Sequence, residues 1–414
     1  MLIQLGIMGL LVALLPLTLV WVSVDANKYR KLAWVSVFLT FDLIMFGAFT
    51  RLTDSGLGCP DWPGCYGEAN PFLAHADIHA AQILMPGGPV TVLKAWVEMV
   101  HRYLAMGVGV LIIALMVIAW RLWLIDTERI KLEPDTLSPA LSQRERVRTA
   151  TRKIKLFPGR INRYGRKSAS AIRPGLPTWL LFFVCLQGAF GAWTVTLKLQ
   201  PVIVTIHLLL GMTLLALLTW LAARQSAPVV PNPQVATLRL PAMHLSAAFA
   251  LALLFCQIAL GGWVSTNYAA LACTDFPLCQ GALVPQMDFE HGFTLWRHLG
   301  KTAAGDYLPF SALTAIHWVH RNFAFIVIGC IVWVGYRALK IAALRQIARW
   351  LLIVVGLQFA TGLSTIFLNW PLAIAVLHNG GAALLVLLLV MLNYKATLSS
   401  QVLPGVSHIR PSSF

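Results

Sequence analysis

Residues 59–67 read CPDWPGCYG, and residues 273–281 read CTDFPLCQG. Both stretches follow the pattern C-x-D-aromatic-P-x-C-x-G, and each follows an apolar run that is long enough to cross a bilayer. The chain therefore contains an internal duplication of a membrane-spanning unit. Positions at which the two copies differ indicate where one copy has chemistry of its own.

The composition is that of an all-α integral membrane protein. Of the 414 residues, 58% are hydrophobic and 12% are charged, and the mean hydropathy is +0.73. Soluble domains carry about 25% charged residues. Apolar runs of about 20 residues predict nine transmembrane helices, near residues 2–24, 32–50, 95–120, 178–197, 202–223, 241–264, 312–336, 350–368 and 372–393.

The net charge of +16 is unevenly placed, which favours a membrane orientation over nucleic-acid binding. Segment 121–173 holds fourteen Lys/Arg and five Asp/Glu, whereas 51–94 and 265–311 each hold two Lys/Arg and four Asp/Glu. The positive-inside rule places 121–173 in the cytoplasm and both Cys loops outside. We predict that 121–173 is a disordered basic loop, since it lacks a sustained apolar period.

The first apolar run has two interpretations. A signal peptide needs a positive start and a small-residue cleavage site, and neither is evident before Lys28. We therefore predict a retained N-terminal helix whose first residue lies outside. No Arg-rich transit peptide is present either, which favours a bacterial inner membrane over an organelle.

The duplication extends well beyond the Cys motif. An offset of 214 residues matches Gly47 with Gly261, and an offset of 171 matches Gln187, Gly191 and His207 with Gln358, Gly362 and His378. We predict two four-helix repeats that are parallel, because each contains an even number of helices. The predicted divisions are an N-terminal helix with a basic connection (1–31), repeats at 32–223 and 241–393, a cytoplasmic linker (224–240) and a cytoplasmic tail (394–414).

Four histidines recur at duplicated positions, in the outer part of the second or fourth helix of each repeat. They are His101, His207, His320 and His378. Side chains on facing helices meet in the core of a four-helix bundle, and two imidazoles at one depth suit the two faces of a haem iron. We predict that each half holds a haem between two of them. For any one of these residues the alternative is a hydrogen-bonded packing role.

The motif at the first histidine of each repeat differs in its first residue. The first copy reads Glu98-x-x-His101, and the second reads His317-x-x-His320. Glu98 lies on the same helical face as His101, so it is a candidate acid, base or charge stabiliser beside a cofactor. The structural alternative is an ion pair with Arg102 or Lys94.

The residues that follow these histidines are arginines in both copies, Arg102 and Arg321. Near the outer interface they are candidates for charge-assisted hydrogen bonds to haem propionates. The alternative is that they extend to the lipid headgroups. Asp42, in the middle of the first repeat's opening helix, is either a proton-relay member or a protonated packing residue.

The spacing of the duplicated cysteines predicts two local disulfides, Cys59–Cys65 and Cys273–Cys279, in an oxidising compartment. Metal binding is the rival interpretation, but the pairs lack the usual C-x2–4-C spacing. Whether the first pair is redox-active or purely structural is left open.

Taken together, these features resemble the haem A synthase family. The resemblance spans about residues 30–395 and rests on the parallel repeats, the Cys pairs, the E-x-x-H-R and H-x-x-H-R motifs, and a His near the start of the last helix of each half. The stretch 50–56, TRLTDSG, also looks like a motif of that family. The N-terminal helix and the long basic loop depart from the family pattern.

The resemblance implies a reaction, the oxidation of a methyl substituent of haem O to the formyl group of haem A for a haem-copper terminal oxidase. It also implies that His320 and His378 ligate a resident haem B, and that His101 and His207 hold the substrate haem with Glu98 near the reacting carbon. A haem O synthase would be the upstream supplier and terminal oxidase assembly the recipient. A homo-oligomer is left open.

Two other functions compete with this one. A di-haem b-type electron-transfer cytochrome explains the four histidines equally well, but it gives no reason for the difference between Glu98 and His317. A transporter built from repeats is a weaker match, because the halves are parallel and no helix shows a broken centre.

Overall fold

The computed structural model describes residues 1–132, 172–226 and 241–400, and within them the predicted all-α membrane fold is confirmed. Nine helices of the described residues are long and apolar enough to cross a membrane. They are α1 Leu2–Val22, α2 Lys28–Leu52, α4 Val92–Leu132, α5 Gly175–Thr196, α6 Pro201–Arg224, α7 Pro241–Thr266, α9 Phe310–Leu339, α10 Arg345–Phe367 and α11 Leu372–Ser400. Two shorter helices, α3 His75–Leu84 and α8 Phe289–Phe293, follow the Cys motifs and lack an apolar run that would have predicted them.

Several helices extend beyond their predicted ends. Helix α2 begins at Lys28 rather than residue 32, because the Asn27 side chain caps it by accepting a hydrogen bond from the Arg30 amide at 2.9 Å. Residues predicted as a connection are therefore its first turn. Polar and basic side chains are good helix formers, so an apolar window underestimates helix length wherever the helix leaves the membrane.

The predicted cytoplasmic segments are only partly described. Helix α4 continues to Leu132, so the start of the predicted 121–173 loop is helical rather than disordered. Helix α11 likewise continues to Ser400, past the predicted start of the tail at 394. The predictions for 133–171, 227–240 and 401–414 lie outside the described residues.

The helices pack as two rings of four. In the first half α2 contacts α4, α4 contacts α5, α5 contacts α6, and α6 returns to α2. In the second half α7, α9, α10 and α11 close the same circuit. The halves meet through α6 against α7, α2 against α11, and α6 against α11. Each half is therefore a four-helix bundle with its own interior, and the extra helix α1 packs on the outside against α4 and α2.

The first and third helices of each bundle, α2 and α5 in the first and α7 and α10 in the second, end in the same way in both halves. Asp54 after α2 and Tyr268 after α7 have φ values of 51° and 54°. Lys198 after α5 and Asn369 after α10 have φ values of 52° and 53°. This left-handed region is uncommon for residues other than glycine, so its recurrence at four matched positions reflects the duplication.

A polar cluster joins the two halves at the ends of α2 and α7. The Arg51 guanidinium donates to the Ser265 carbonyl oxygen at 2.6 Å and to the Tyr268 hydroxyl at 3.1 Å, and it lies over the Tyr268 ring. The Tyr268 hydroxyl in turn donates to Asp54 at 2.6 Å. This cluster holds the two Cys loops in register, since each loop begins immediately after one of these helices.

Candidate functional site

Each duplicated histidine packs its ring against a glycine of the preceding helix in its bundle. A methyl group added at Gly47 would lie 3.0 Å from Cε1 of His101, and the same holds for Gly261 and His320. For the pairs Gly191–His207 and Gly362–His378 the corresponding distances are 3.2 and 3.0 Å. These distances are shorter than ordinary van der Waals contact, so only glycine leaves room for the ring. The matched glycines found in the sequence thus have a physical role that sequence reasoning did not assign.

The fold brings the histidines together in pairs, one pair in each bundle. His101 on α4 and His207 on α6 belong to the first bundle, and His320 on α9 and His378 on α11 belong to the second. In the second bundle a cavity lies between the helices, and its lining includes both histidines, Gly261 and Gly362. The remaining lining is mainly Leu, Ile, Val and Phe side chains. The cavity thus combines an apolar wall with two imidazoles on facing helices.

Three glutamines hold the backbone of three of these histidines, and the sequence analysis did not predict this role. Gln187 donates to the carbonyl oxygen of His207 at 3.1 Å, Gln257 to that of His320 at 3.1 Å, and Gln358 to that of His378 at 2.9 Å. Each glutamine lies four residues before the glycine that its histidine contacts, so Q-x-x-x-G was the available signal. The fourth equivalent position is Leu43, which cannot donate.

In the second bundle, side chains on the helices that carry Gln257 and Gln358 also contact the imidazole rings. Gln257 Nε2 lies 3.1 Å from His320 Nδ1, and the Thr361 hydroxyl lies 3.0 Å from His378 Nδ1. In the first bundle the Nδ1 atoms of His101 and His207 are buried without a hydrogen-bond partner among the described residues. A buried polar atom without a partner is costly. The first-bundle imidazoles are therefore less completely satisfied by the protein than those of the second bundle.

Glu98 and His317 occupy equivalent places and make the same contact. Glu98 is 4% exposed, and one of its carboxylate oxygens accepts from the Cys59 amide at 2.9 Å. His317 is 5% exposed, and its Nδ1 accepts from the Cys273 amide at 3.2 Å. Both side chains therefore fix the first cysteine of a disulfide loop. The two residues differ because only Glu98 places a negative charge beside the first cysteine of its loop.

The two arginines hold the Cys loops by their backbone carbonyl oxygens. Arg102 donates to the carbonyls of Asp61 at 3.0 Å, Pro63 at 3.2 Å and Gly64, and it also forms an ion pair with Glu98. The structural alternative, pairing of Glu98 with Arg102, is thus what the structure contains.

Arg321 makes fewer contacts than its duplicate. Its Nη2 donates to the carbonyls of Asp275 at 2.9 Å and Leu278 at 3.1 Å, while its Nη1 is buried without a partner among the described residues. The Arg321 side chain also lines the second-bundle cavity. One donor of this guanidinium therefore has no partner in the part of the chain that the structure describes, and the side chain borders the cavity.

Four fixed positions of the Cys motif, the two cysteines, the aspartate and the last glycine, have a structural reason. Cys59 and Cys65 form one disulfide and Cys273 and Cys279 the other, as the spacing predicted. The motif's aspartate accepts from two amides of the turn that closes the loop, which for Asp275 are those of Gln280 at 2.7 Å and Gly281 at 2.9 Å. The last glycine of each motif has a positive φ, 75° and 76°.

The aspartate of the second motif also has a shifted pKa. The Gly281 amide, followed by that of Gln280 and the nearby Arg321 charge, holds the pKa of Asp275 below its usual value. A depressed carboxyl pKa means that the ionised group stabilises the folded loop above its usual pKa and that this contribution is lost as the pH falls through the folded value. The turn therefore stays capped throughout the neutral range.

Asp42 does not belong to either histidine pair. It is exposed on α2, and none of the hydrogen bonds or ion pairs found in the described part of the chain involves it. The structure thus gives Asp42 neither the relay partner nor the packing partner that the sequence analysis considered.

The residues present in the second bundle fit a porphyrin with a central metal. The cavity offers two imidazoles, apolar walls for the ring and, in its lining, Arg321 with its unpartnered Nη1 for an acidic substituent. In the first bundle the matching imidazoles, with both Nδ1 atoms unpartnered, fit the same kind of ligand.

Comparison with known proteins supports the same conclusion. The family model described as "Cytochrome oxidase assembly protein" matches residues 30–390, which excludes α1. The chain is similar to the heme A synthase of Shewanella oneidensis, with 34% identity over 88% of this chain and 96% of that protein. It is also similar to heme A synthases of Chelativorans sp., at 27% identity over 90% of this chain and 93% of the relative, and of Halalkalibacterium halodurans, at 23% over 81% and 86%.

Proposed function

The chain belongs to the cytochrome oxidase assembly protein family, and on that premise we propose that it is a haem A synthase. The reaction is the oxidation of the methyl substituent of haem O to the formyl group of haem A, for use by a haem-copper terminal oxidase. The observation that supports this function best is the asymmetry between the bundles. Two equivalent histidine pairs differ by one buried charge, Glu98 against His317, so only one bundle carries a group suited to the chemical step.

We assign the substrate to the first bundle. His101 and His207 would hold haem O, and the contact glycines Gly47 and Gly191 allow the two rings their positions. The buried Nδ1 atoms without partners are consistent with imidazoles that complete their contacts only when a ligand is present.

We assign a resident haem B to the second bundle, where His320 and His378 would hold its iron. Gln257 and Gln358 fix the backbone of these histidines from the neighbouring helices, so the rings are positioned in advance. When bound, this haem would supply one-electron transfer. Arg321 would contact one of its propionates through the free Nη1.

Glu98 is assigned the role of stabilising positive charge that develops at the reacting carbon. A fixed negative charge in a buried site is effective because little water competes with it. One of its oxygens is engaged by the Cys59 amide and the other by Arg102.

We further propose a location and partners. The basic segments would face the bacterial cytoplasm and both Cys loops the periplasm, following the distribution of Lys and Arg. The Cys59–Cys65 loop, which is tied to Glu98, would cover the substrate side of the first bundle. A haem O synthase in the same membrane would supply the substrate, and terminal oxidase assembly would consume the product.

The test is extraction of pigments from membranes that contain a haem O source, with and without this protein. We expect haem A only when the protein is present, together with one haem B that copurifies with it. Purified protein with two tightly bound haem B groups and no haem A in the membranes would instead identify an electron-transfer cytochrome.

The glycine contacts make a prediction about the resident haem. Gly362→Val places branched carbons against the His378 ring, and overpacking of this kind costs about 1 to 3 kcal/mol. We expect the second-bundle haem to be retained roughly 5- to 150-fold more weakly, measured as haem B per protein after purification. Gly356→Val on the same helix is the matched control, because nothing lies within 4 Å of a methyl group added there. Equal haem content in the two variants would contradict the proposed packing role of Gly362.

A further inference from the structure

The duplicated arginines offer a comparison within one molecule, because they follow equivalent histidines and hold equivalent loops. Both bind backbone carbonyls of the loop between two cysteines. Only Arg102 also binds the side chain that distinguishes the two bundles, since it pairs with Glu98. Arg321 faces the neutral His317 at the same place and keeps Nη1 without a partner in the part of the chain that the structure describes.

We propose that Arg102 is a positioning residue for the reaction, which fixes the Glu98 carboxylate by tying it to the backbone of the Cys59–Cys65 loop. This inference rests on the proposed function. The sequence made both Arg102 and Arg321 candidates for contacts with haem propionates. The present proposal gives Arg102 a different role and keeps the propionate contact for Arg321.

The geometry of the carboxylate carries the argument. Glu98 is on α4. One of its partners is the Cys59 amide, in a loop 39 residues earlier in the chain, and the other is Arg102, which is itself bound to that loop. One oxygen accepts from the Cys59 amide, and the other accepts from a guanidinium whose remaining donors are held by Asp61, Pro63 and Gly64. The carboxylate is therefore gripped from both sides by one disulfide-closed loop, once directly and once through Arg102.

The ion pair of Glu98 and Arg102 is buried, so the loss of either member has a large effect on the other. The Glu98 side chain is 5% exposed and the Arg102 side chain 10%. Removing one member of a buried pair leaves the other as an uncompensated charge. Without Arg102 the carboxylate would be free to rotate toward water or to take up a proton, and either change removes a fixed charge from the reacting carbon. A misplacement of about 1 Å in such a group can lower a rate about a hundredfold.

The number and direction of these contacts explain why arginine occupies this position. The planar guanidinium presents separate donors to the carboxylate and to three carbonyl oxygens at once. Lysine would keep the charge but would lack the fork, so it would hold Glu98 less precisely. Arg102→Lys should therefore retain part of the effect, whereas Arg102→Gln should lose most of it.

The experiment compares Arg102→Gln, Glu98→Gln and the double variant, in membranes where the wild-type protein forms haem A. We expect Arg102→Gln to lower kcat about 10- to 100-fold, with KM for haem O within about threefold and the resident haem B retained. We expect the double variant to turn over no more slowly than Glu98→Gln alone, because Arg102 acts through Glu98. Arg102→Lys should lie between wild type and Arg102→Gln, and Arg30→Gln, which removes an arginine from a distant ion pair, should match wild type.

A second measurement does not depend on turnover. Thermal unfolding should show Arg102→Gln as less stable than wild type and the double variant as more stable than Arg102→Gln, since removing both charges leaves neither uncompensated. Mass analysis after alkylation should find the Cys59–Cys65 disulfide intact in every variant.

Four outcomes would overturn the proposal. They are a KM effect that accounts for the whole loss, rate effects that multiply in the double variant, equal thermal stability of Arg102→Gln and wild type, or loss of the disulfide in Arg102→Gln. The proposed function fails separately, if the wild-type protein itself forms no haem A. Haem A formation by the wild type with unchanged turnover of Arg102→Gln would refute the positioning role alone.

Discussion

Glu98→Gln is expected to lower the rate of haem A formation about 100- to 1,000-fold while leaving the haem of the second bundle in place. Glutamine preserves the size of the side chain, and its amide oxygen can still accept from the Cys59 amide. What it removes is the negative charge, and loss of one preorganised electrostatic group typically lowers a rate by about 10² to 10³. The Arg102 guanidinium would also lose its only carboxylate among the described residues.

The measurement is the haem composition of membranes that contain a haem O source, together with the spectrum of the purified variant. We expect haem O to accumulate, with haem A and any hydroxylated intermediate near background, and the haem B spectrum unchanged. Glu68→Gln is the matched control, because Glu68 follows the same Cys pair and its carboxylate makes no hydrogen bond or ion pair within the described residues. Full haem A formation by Glu98→Gln would show that the carboxylate is not the reacting bundle's essential group.

The second large effect concerns the resident haem. His378→Ala and His320→Ala are each expected to reduce haem B in the purified protein to background, since an iron held between two imidazoles loses half of its axial ligation. Haem A formation should fall with it, because the electron carrier is gone. The surrounding contacts of Gln358 and Thr361 cannot replace the ring, as neither offers a ligand of comparable strength.

The comparison that makes this result specific is between the two bundles. His101→Ala and His207→Ala should keep the haem B spectrum and lose haem A formation, the opposite division from the second-bundle variants. His244→Ala is the control for loss of a histidine in a membrane helix, because Nδ1 of His244 is buried but the residue belongs to neither pair. Retention of haem B by His378→Ala would refute the assignment of the resident site.

The global architecture was predictable because membrane insertion depends on local hydropathy. Nine apolar runs predicted nine helices that the structure contains in its described residues, and the two disulfides followed from a motif that recurs within the chain. The positions of helix ends were less predictable. Lys28 and Leu132 lie in helical turns outside the apolar windows, where capping and polar helix formers determine the boundary.

The site was predictable in its members but not in their contacts. The duplicated histidines were identified from their positions alone, and the fold places two of them in each bundle, with His320 and His378 lining one cavity. The sequence showed the glycines and glutamines only as recurring residues. It did not show that the glycines leave room for the imidazole rings or that the glutamines bind the histidine carbonyl oxygens. Periodicity indicates which face of a helix a residue occupies, but it does not indicate which atom of a neighbouring helix it meets.

By itself, the amino-acid sequence determined that this protein is a duplicated membrane bundle. It also determined which residues differ between the two copies, including Glu98, which is found only in the first. These properties follow from composition, spacing and internal comparison, which need no third dimension. Only the tertiary structure decided what Glu98 touches. The i,i+4 ion pair with Arg102 was one of the alternatives offered by the sequence, but the Cys59 amide belongs to a disulfide-closed loop 39 residues away. Contacts of that second kind exist only after separate helices and loops have packed together.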